Sequence, residues 1–544
     1  MNNEYIRWKS KKLKDNDLNI ELEKIKDNNE AIEDAFGINL SFGTGGLRGI
    51  LGAGTNRMNI YTVRKATFGV ASVLKYGSSV AVAFDSRIKS DLFAKEAAMV
   101  FANCNIKVFL FDRVSPTPLL SFAVRELQCD GGIVITASHN PAEYNGYKVY
   151  DSKGCQINPF TSELIFKYME NIDVFNELPN EMDFNTCLEK KLIEYIDDSL
   201  IDLYMDTVCK QAFYEGSRSI KIVYTPLNGS GLECVLGAIT RRGFTELKVV
   251  KEQMYPNGLF PTCPYPNPEI KQALELGIRD LINTNSDILI ATDPDCDRAG
   301  LVIRRKDEIR ILNGNETGIL MFDYICNMRI KKKIMPKDPV AVKTIVTTDL
   351  AKKIASEYGV NMIETLTGFK FIGDQIAILE ESGKEDSFIF GFEESCGYLS
   401  GTYVRDKDAV NAAVLITDMA DYYNDIGINI LDRLEQIYKK YGYLMTYLGN
   451  YEYPGMSGLE EMKKIMFVLR NNSLMTKDYL KEIGHLHSDV LKFEINDLGT
   501  AIVRPSGTEP KIKIYYSSEG YDMIDSDIKL KKLISIMERM LNLA

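Results

Sequence analysis

Gly131-Gly132-Ile133-Val134-Ile135-Thr136-Ala137-Ser138-His139-Asn140-Pro141 is the stretch on which the reading of this chain turns. Its first half is an unbroken apolar run, which predicts a core strand, and its second half is a polar turn. Ser138 is therefore expected at the carboxyl end of a strand, where open α/β sheets place their chemistry. A strand-end serine by itself more often just caps a turn or a helix, so the assignment depends on its companions.

The first companion is Asp293-Pro294-Asp295-Cys296-Asp297-Arg298, directly after the run at residues 287–292. Aspartates at i, i+2 and i+4 of an extended segment project to one side, and three converging anionic oxygens suit Mg²⁺. An EF-hand is excluded, because positions 298 and 304, which would need Gly and Glu, are both Arg. A solvated acidic turn is the bland alternative; it leaves three like charges crowded together without a cation. In the aspartyl-phosphate phosphatases, whose spacing is similar, position 297 would be Thr or Val, and here it is Asp.

Two more segments end predicted strands. Arg504-Pro505-Ser506-Gly507-Thr508-Glu509-Pro510 lies between Ala501-Ile502-Val503 and the alternating run at 511–516. Small polar residues leave N–H groups free to converge on an anion, and Arg504 adds a planar fork for phosphate; an ordinary hairpin loop is the other reading. Gly391-Phe392-Glu393-Glu394-Ser395-Cys396-Gly397-Tyr398 offers carboxylate and hydroxyl groups to vicinal sugar hydroxyls, although a solvated turn would look much the same. Near the N-terminus, Gly43-Thr44-Gly45-Gly46-Leu47-Arg48-Gly49 lacks the Gly-Lys-Ser/Thr of a P-loop and has Arg48 in place of the third glycine of a dinucleotide loop. It reads as a loop that approaches a phosphate and supplies Arg48.

Taken together and in this order, these segments resemble the α-D-phosphohexomutase superfamily, nearest to its phosphoglucomutase and phosphopentomutase branch. The resemblance also rests on Asn145-Gly146-Tyr147-Lys148, Phe260-Pro261-Thr262, Pro266-Asn267-Pro268-Glu269 and Thr367-Gly368-Phe369-Lys370, so that it spans nearly the whole chain. It implies an α/β, four-domain architecture: three mixed α/β domains and a C-terminal α+β domain around a central cleft. The boundaries expected are 1–208 with the serine loop, 209–313 with the metal loop, 314–440 with the sugar loop and 441–544 with the phosphate loop.

Composition is compatible with this. The 544 residues are 45% hydrophobic, enough for several cores, and a net charge of −11 argues against nucleic acid or an anionic membrane as the main partner. With no apolar run of spanning length and a highly charged N-terminus, a cytoplasmic enzyme is expected. The ten cysteines form no Cys-x-x-Cys motif and are expected to be free, mostly buried thiols. His485 and His487 are expected at the surface of the last domain, and Trp8, in a polar arm, carries no information at this level.

The chemistry can be anticipated in part. Ser138 needs a base; adjacent residues on an extended segment point opposite ways, which disfavours a direct pair with His139. Lys148, following the hairpin signal Asn145-Gly146, is the better partner, although a solvated strand lysine would look the same. The resemblance implies a phosphate on Ser138, bridged by Mg²⁺ to Asp293, Asp295 and Asp297, and transferred to a sugar monophosphate to give a bisphosphate that turns and returns its other phosphate. It further implies Ser138, Lys148, His139 and Arg48 as catalytic candidates, Arg298 as a fixed charge, Lys370, Glu393 and Ser395 as sugar contacts, and Arg504, Ser506, Gly507 and Thr508 as the distal phosphate site. The implied cofactors are Mg²⁺ and glucose 1,6-bisphosphate as activator, and the implied substrates are glucose 1-phosphate and glucose 6-phosphate. A pentose phosphate mutase, a glucose 1,6-bisphosphate synthase, a Mg²⁺-dependent sugar phosphatase and a non-catalytic sugar-phosphate sensor are the alternatives.

Overall fold

The run quoted first is a strand, β4 (Gly131–Ile135), with every residue buried. It lies inside a six-stranded sheet with β1 (Gly46–Ile50), β2 (Ser79–Phe84), β3 (Lys107–Leu110), β5 (Tyr144–Asp151) and β6 (Ile193–Tyr195), in the order β1-β5-β4-β2-β3-β6. Strands β4, β2, β3 and β6 run parallel, and β5 is antiparallel to both β4 and β1. Helices Ser90–Asn103 and Thr117–Glu126 connect the parallel strands, as parallel pairing requires. The structure is a computed structural model that describes residues 2–43, 45–453, 456–479, 489–505 and 511–541.

Beyond β5 the chain passes through helices Pro159–Glu170, Phe184–Glu189 and Asp198–Cys209, with β6 between the last two pairing onto β3. Trp8 is fully buried. It packs edge-on against Phe36 and Tyr61 and against Phe175, so the arm built from helices Asn3–Lys9, Asn16–Ile25 and Asn29–Phe36 is anchored by an aromatic cluster.

A second sheet contains β7 (Ile222–Thr225), β8 (Leu247–Val249), β9 (Ile288–Thr292), β10 (Ala299–Arg305) and β11 (Glu308–Leu312), in the order β11-β10-β9-β7-β8. Strands β8, β7 and β9 are parallel, and β10 returns antiparallel to β9 across the Asp293–Arg298 turn. The chain then enters helix Gly314–Lys331, closed at its start by an Asn313/Glu316 capping box.

The chain divides into two compact units, Met1–Val342 with Gly368–Gly427, and Lys343–Thr367 with Ile428–Ala544; it passes from the first to the second within β12 (Val340–Thr344). The second unit holds β13 (Asn361–Thr365), and the first holds the hairpin of β14 (Phe388–Glu393) and β15 (Gly397–Leu399). The rest of the second unit is an antiparallel sheet of β16 (Tyr443–Glu452), β17 (Met475–Asp478), β18 (Leu491–Ile495), β19 (Gly499–Pro505) and β20 (Lys511–Gly520), ordered β16-β20-β19-β18-β17. On β20, Ile512, Ile514 and Tyr516 are buried and alternate with lysines and a tyrosine that are not, the period-two pattern of a half-covered strand. This sheet with helix Met523–Met540 fits the α+β class expected for the C-terminal part of the chain. All ten cysteines are free, eight of them buried. Among the described residues no helix is long and apolar enough to cross a membrane.

Candidate active site

The turn after β4 is not extended at its serine. Ser138 has φ 52°, in the left-handed region, and its N–H donates to Thr136 Oγ1 at 2.8 Å. This corrects the argument that separated Ser138 from His139, because the left-handed residue brings Ser138 Oγ within 3.2 Å of His139 Nδ1. Desolvation, with the charges of Arg298 and Arg48 behind it, holds the His139 imidazole well below its ordinary pKa, so the ring is neutral, and with its proton on Nδ1 it donates to the serine oxygen. Ser138 Oγ also donates to Asp293 Oδ2 at 2.8 Å.

Asp293 lies in a turn too, rather than the extended segment anticipated. Cys296 takes φ 54°, and the N–H groups of Asp297 and Arg298 both donate to Asp293 Oδ1 at 3.0 Å. The convergence of Asp293, Asp295 and Asp297 nonetheless holds: all three are buried, with carboxylate oxygens within 4.8 Å of one another. Thr117, at the start of its helix, donates from both Oγ1 and N to Asp295.

Lys148 is directed to this cluster and not to the serine. Its Nζ lies 2.7 Å from Asp295 Oδ2 and 3.2 Å from Asp297 Oδ2. Asn145-Gly146 is no hairpin turn either; both residues sit inside β5, where Gly146 pairs with Arg48 of β1 and a Cβ would meet Thr136 O at 2.4 Å. A second ammonium was missed by sequence reasoning: Lys407 Nζ is 2.8 Å from Asp297 Oδ2 and 3.4 Å from Asp406 Oδ1. The one available signal was Arg405-Asp406-Lys407-Asp408, a charged run placed immediately before the buried helix Ala409–Asp425.

These neighbours separate the carboxyls electrostatically. Burial, and then Asp297 and Asp295, push Asp293 well above the ordinary carboxylate range. Burial acts the same way on Asp295, but the Lys148 ammonium outweighs it and holds that carboxyl low. Asp297 is held low against burial and Asp295 by Lys407 and Lys148. Asp295 Oδ1 and Asp297 Oδ1 are buried without a hydrogen-bond partner. Orphaned anionic oxygens in an all-carboxylate set fit a small hard divalent cation such as Mg²⁺.

The remaining candidates in the first unit surround this cluster. Arg48 lies on a strand, not a loop, and its Nη1 donates to Asn140 Oδ1 at 3.0 Å, bracing the serine turn. Arg298 reaches the β14–β15 hairpin, with Nη1 3.3 Å from Ser395 O, and is flanked by Glu269 at 3.9 Å. Ala299 N donates to Cys396 O, which ties the metal turn to the same hairpin. Glu393, the last residue of β14, accepts from Gly368 N at 3.0 Å; burial, with Glu394 beside it, raises its carboxyl to about 7. Lys370 is buried in the first turn of helix Phe369–Glu381, its ammonium over the Phe371 ring. In the second unit Arg504 is the penultimate residue of β19, opposite Lys513 of β20. Ser506, Gly507 and Thr508, like His485, His487 and Thr44, lie outside the described residues.

Comparison with known proteins bears on this geometry. Three family models match in succession: Phosphoglucomutase/phosphomannomutase, alpha/beta/alpha domain I over residues 39–175, domain II over 202–306 and domain III over 313–441. The chain is 36% identical over 509 residues to a phosphoglucomutase of Staphylococcus saprophyticus, covering 88% of this chain and 90% of that one. Among solved structures, pp63/parafusin (phosphoglucomutase) of Paramecium shares the fold with a TM-score of 0.69 at 18% identity, covering 93% of this chain and 95% of its own. A phosphoglucomutase/phosphomannomutase family protein of Burkholderia thailandensis does so with a TM-score of 0.67 at 19% identity, over 92% and 96% of the two chains.

Proposed function

This chain belongs to the phosphoglucomutase/phosphomannomutase family of the α-D-phosphohexomutase superfamily, and from that premise we propose that it interconverts glucose 1-phosphate and glucose 6-phosphate. The reaction proceeds through a phosphorylated Ser138 and a glucose 1,6-bisphosphate intermediate, which also serves as activator. The observation that carries the reading is the Ser138 hydroxyl set 2.8 Å from Asp293, within a trio of buried carboxylates that a divalent cation would complete. Three facing carboxylates disfavour both a free alkoxide and a phosphate on Ser138 until a divalent cation neutralises them, so the carboxylates and the cation belong to one site with the serine.

Mg²⁺ held by Asp293, Asp295, Asp297 and an oxygen on Ser138 would neutralise charge on the transferring phosphoryl group. Every other contribution comes from the chain itself. Neutral His139, with its proton on Nδ1, donates to Ser138 Oγ and orients the hydroxyl towards Asp293. Lys148, whose pKa the two aspartates raise against burial, stays an ammonium and hydrogen-bonds the sugar oxygen that gains or loses phosphate, while the hydroxyl proton passes between that oxygen and Ser138 Oγ. Arg48 and Arg298 supply fixed positive charge at the ends of the serine and metal turns. Glu393, Ser395 and Lys370 bind the sugar, and Arg504 with Ser506, Gly507 and Thr508 holds the phosphate that is not reacting. Four domains, 1–208, 209–313, 314–440 and 441–544, each contribute one of these segments. The proposed location is the cytoplasm, where charge retains sugar phosphates.

Incubation with glucose 1-phosphate, Mg²⁺ and a trace of glucose 1,6-bisphosphate tests the reading. Glucose 6-phosphate should accumulate without free phosphate, intact mass should show one phosphate on the protein, and Ser138→Ala should lose both the phosphate and the turnover. Release of free phosphate would favour a sugar phosphatase, and turnover by Ser138→Ala would remove Ser138 as carrier.

A further inference from the structure

Behind the serine turn lies Asp85-Ser86-Arg87, directly after β2, which the chemistry above does not use. Arg87 is 3% exposed. Its Nη1 donates to Pro141 O at 2.8 Å and Tyr144 O at 3.0 Å, and its Nη2 donates to Ser138 O and Asn140 O. One guanidinium thus collects four main-chain carbonyls, three in the turn between β4 and β5 and one on the first residue of β5. Asp85 stands behind it, with Oδ2 3.4 Å from Arg87 Nε and Oδ1 accepting from Arg87 N at 2.9 Å.

The face of the same guanidinium is covered by Phe260, whose ring centroid is 5.1 Å from Arg87 Cζ. Phe260 is buried and sits at φ 44°. Two residues earlier, Gly258 runs so close to residues 86–88 that a Cβ would meet Ile88 N at 2.5 Å. Phe260-Pro261-Thr262 is a motif of the sequence with no part in the chemistry above. Phe260 lies within the match to family domain II and Arg87 within that to domain I, so the contact joins two family domains.

We propose that Arg87, seated under Phe260, is a positioning residue that locks Ser138 in its left-handed conformation and thereby aims its hydroxyl for phosphoryl transfer. The proposal rests on the reading of Ser138 as phosphoryl carrier. Left-handed backbone is unfavourable for serine and persists only where the surroundings over-determine it. Returning residue 138 to the right-handed region would swing its carbonyl away from Nη2 and break the set. A planar fork of five donors suits four carbonyls in fixed directions; an ammonium has three donors and no plane, and it stacks on an aromatic face less well.

The test compares wild type with Arg87→Lys, Phe260→Leu and the double variant, after circular dichroism has shown each to be folded. Steady-state kcat and KM, and single-turnover transfer from glucose 1,6-bisphosphate to dephosphorylated Ser138 followed by intact mass, are the readouts. Arg87→Lys should lower kcat and the transfer rate by about a hundredfold, the scale of a small misplacement of a reacting group, with KM within about threefold. Phe260→Leu should lower both rates by about tenfold, and the double variant should be no worse than Arg87→Lys, because the two residues act as one device. Transfer in Arg87→Lys within about threefold of wild type, a loss confined to KM, or additive losses in the double variant would each overturn the proposal. If Arg87→Lys does not fold, Phe260→Leu decides alone: a tenfold slower transfer at unchanged KM supports the proposal, and wild-type transfer overturns it. Wild-type protein that neither turns over nor carries phosphate would instead sink the reading of Ser138, a separate failure.

Discussion

The hydroxyl of Ser138 and the carboxyl of Asp293, 155 residues apart in sequence, share a 2.8 Å hydrogen bond that joins the turn after β4 to the turn after β9. Asp293 is the carboxyl of its trio that burial and two like-charged neighbours press hardest towards protonation. It is therefore the group whose charge most needs an external partner.

Asp293→Asn should cut kcat by about a hundredfold or more, the usual cost of one preorganised charge-stabilising group. It should also stabilise the metal-free protein, since it relieves the penalty that burial and the two neighbouring aspartates impose on this carboxyl. Thermal melts with EDTA and with Mg²⁺ check both parts: Mg²⁺ should raise the wild-type Tm by linkage and raise that of the variant less. Equal shifts in the two proteins would argue against cation binding at this turn.

Lys407→Ala separates two roles that a single ammonium could play at Asp297. Loss of this counter-charge makes the carboxylate cluster more negative, so Mg²⁺ affinity should be unchanged or tighter while kcat falls by at least about tenfold. Titration calorimetry with Mg²⁺ beside steady-state kinetics checks the split. Weaker Mg²⁺ binding would show that Lys407 supports the metal turn structurally.

Glu393 sets a pH dependence. Its folded-state pKa of about 7 lies above the ordinary 4.5, through burial and then Glu394. Between those values the native state holds a proton that the unfolded chain has lost, so this group's contribution to stability is present at low pH and is lost as pH rises through 7. A sugar hydroxyl donating to the carboxylate needs the opposite state, so kcat/KM should rise through the same window. Glu393→Gln should flatten both profiles, and an unchanged inflection near pH 7 in the variant would assign it to another group.

Trp8→Ala removes a fully buried indole from the arm cluster of Phe36, Tyr61 and Phe175. A cost of about 3–5 kcal/mol is expected for such a cavity. The Tm should drop, while kcat per folded molecule stays at the wild-type value because no residue of the cluster touches the candidate site. A fall in kcat at temperatures well below the new Tm would instead tie the arm to catalysis.

Much of this architecture was legible in the residues alone. The buried run ending at Thr136 and the alternation on β20 are local patterns, and local periodicity reports which face meets a core. Asp293, Asp295 and Asp297 could be grouped for the same reason: covalent spacing keeps them together in an extended strand or, as found, in a turn. The left-handed residues Ser138 and Cys296 were not legible, because Ser and Cys carry little intrinsic preference for that region and only packing imposes it.

The local chain, then, was sufficient to place a serine and three carboxylates at the ends of buried strands, where few other roles account for them. Which cations face those carboxylates belonged to the fold. Lys148 turned from the serine to Asp295, Lys407 arrived from the stretch between β15 and helix Ala409–Asp425, and Trp8 proved to be an anchor. In each case the partner is distant in sequence, and a charge or an aromatic ring in a polar stretch has the same local signature whether water or a buried neighbour receives it. Only the packing of sheets and helices decides between the two, because the cost of desolvation is set by what surrounds the group in space.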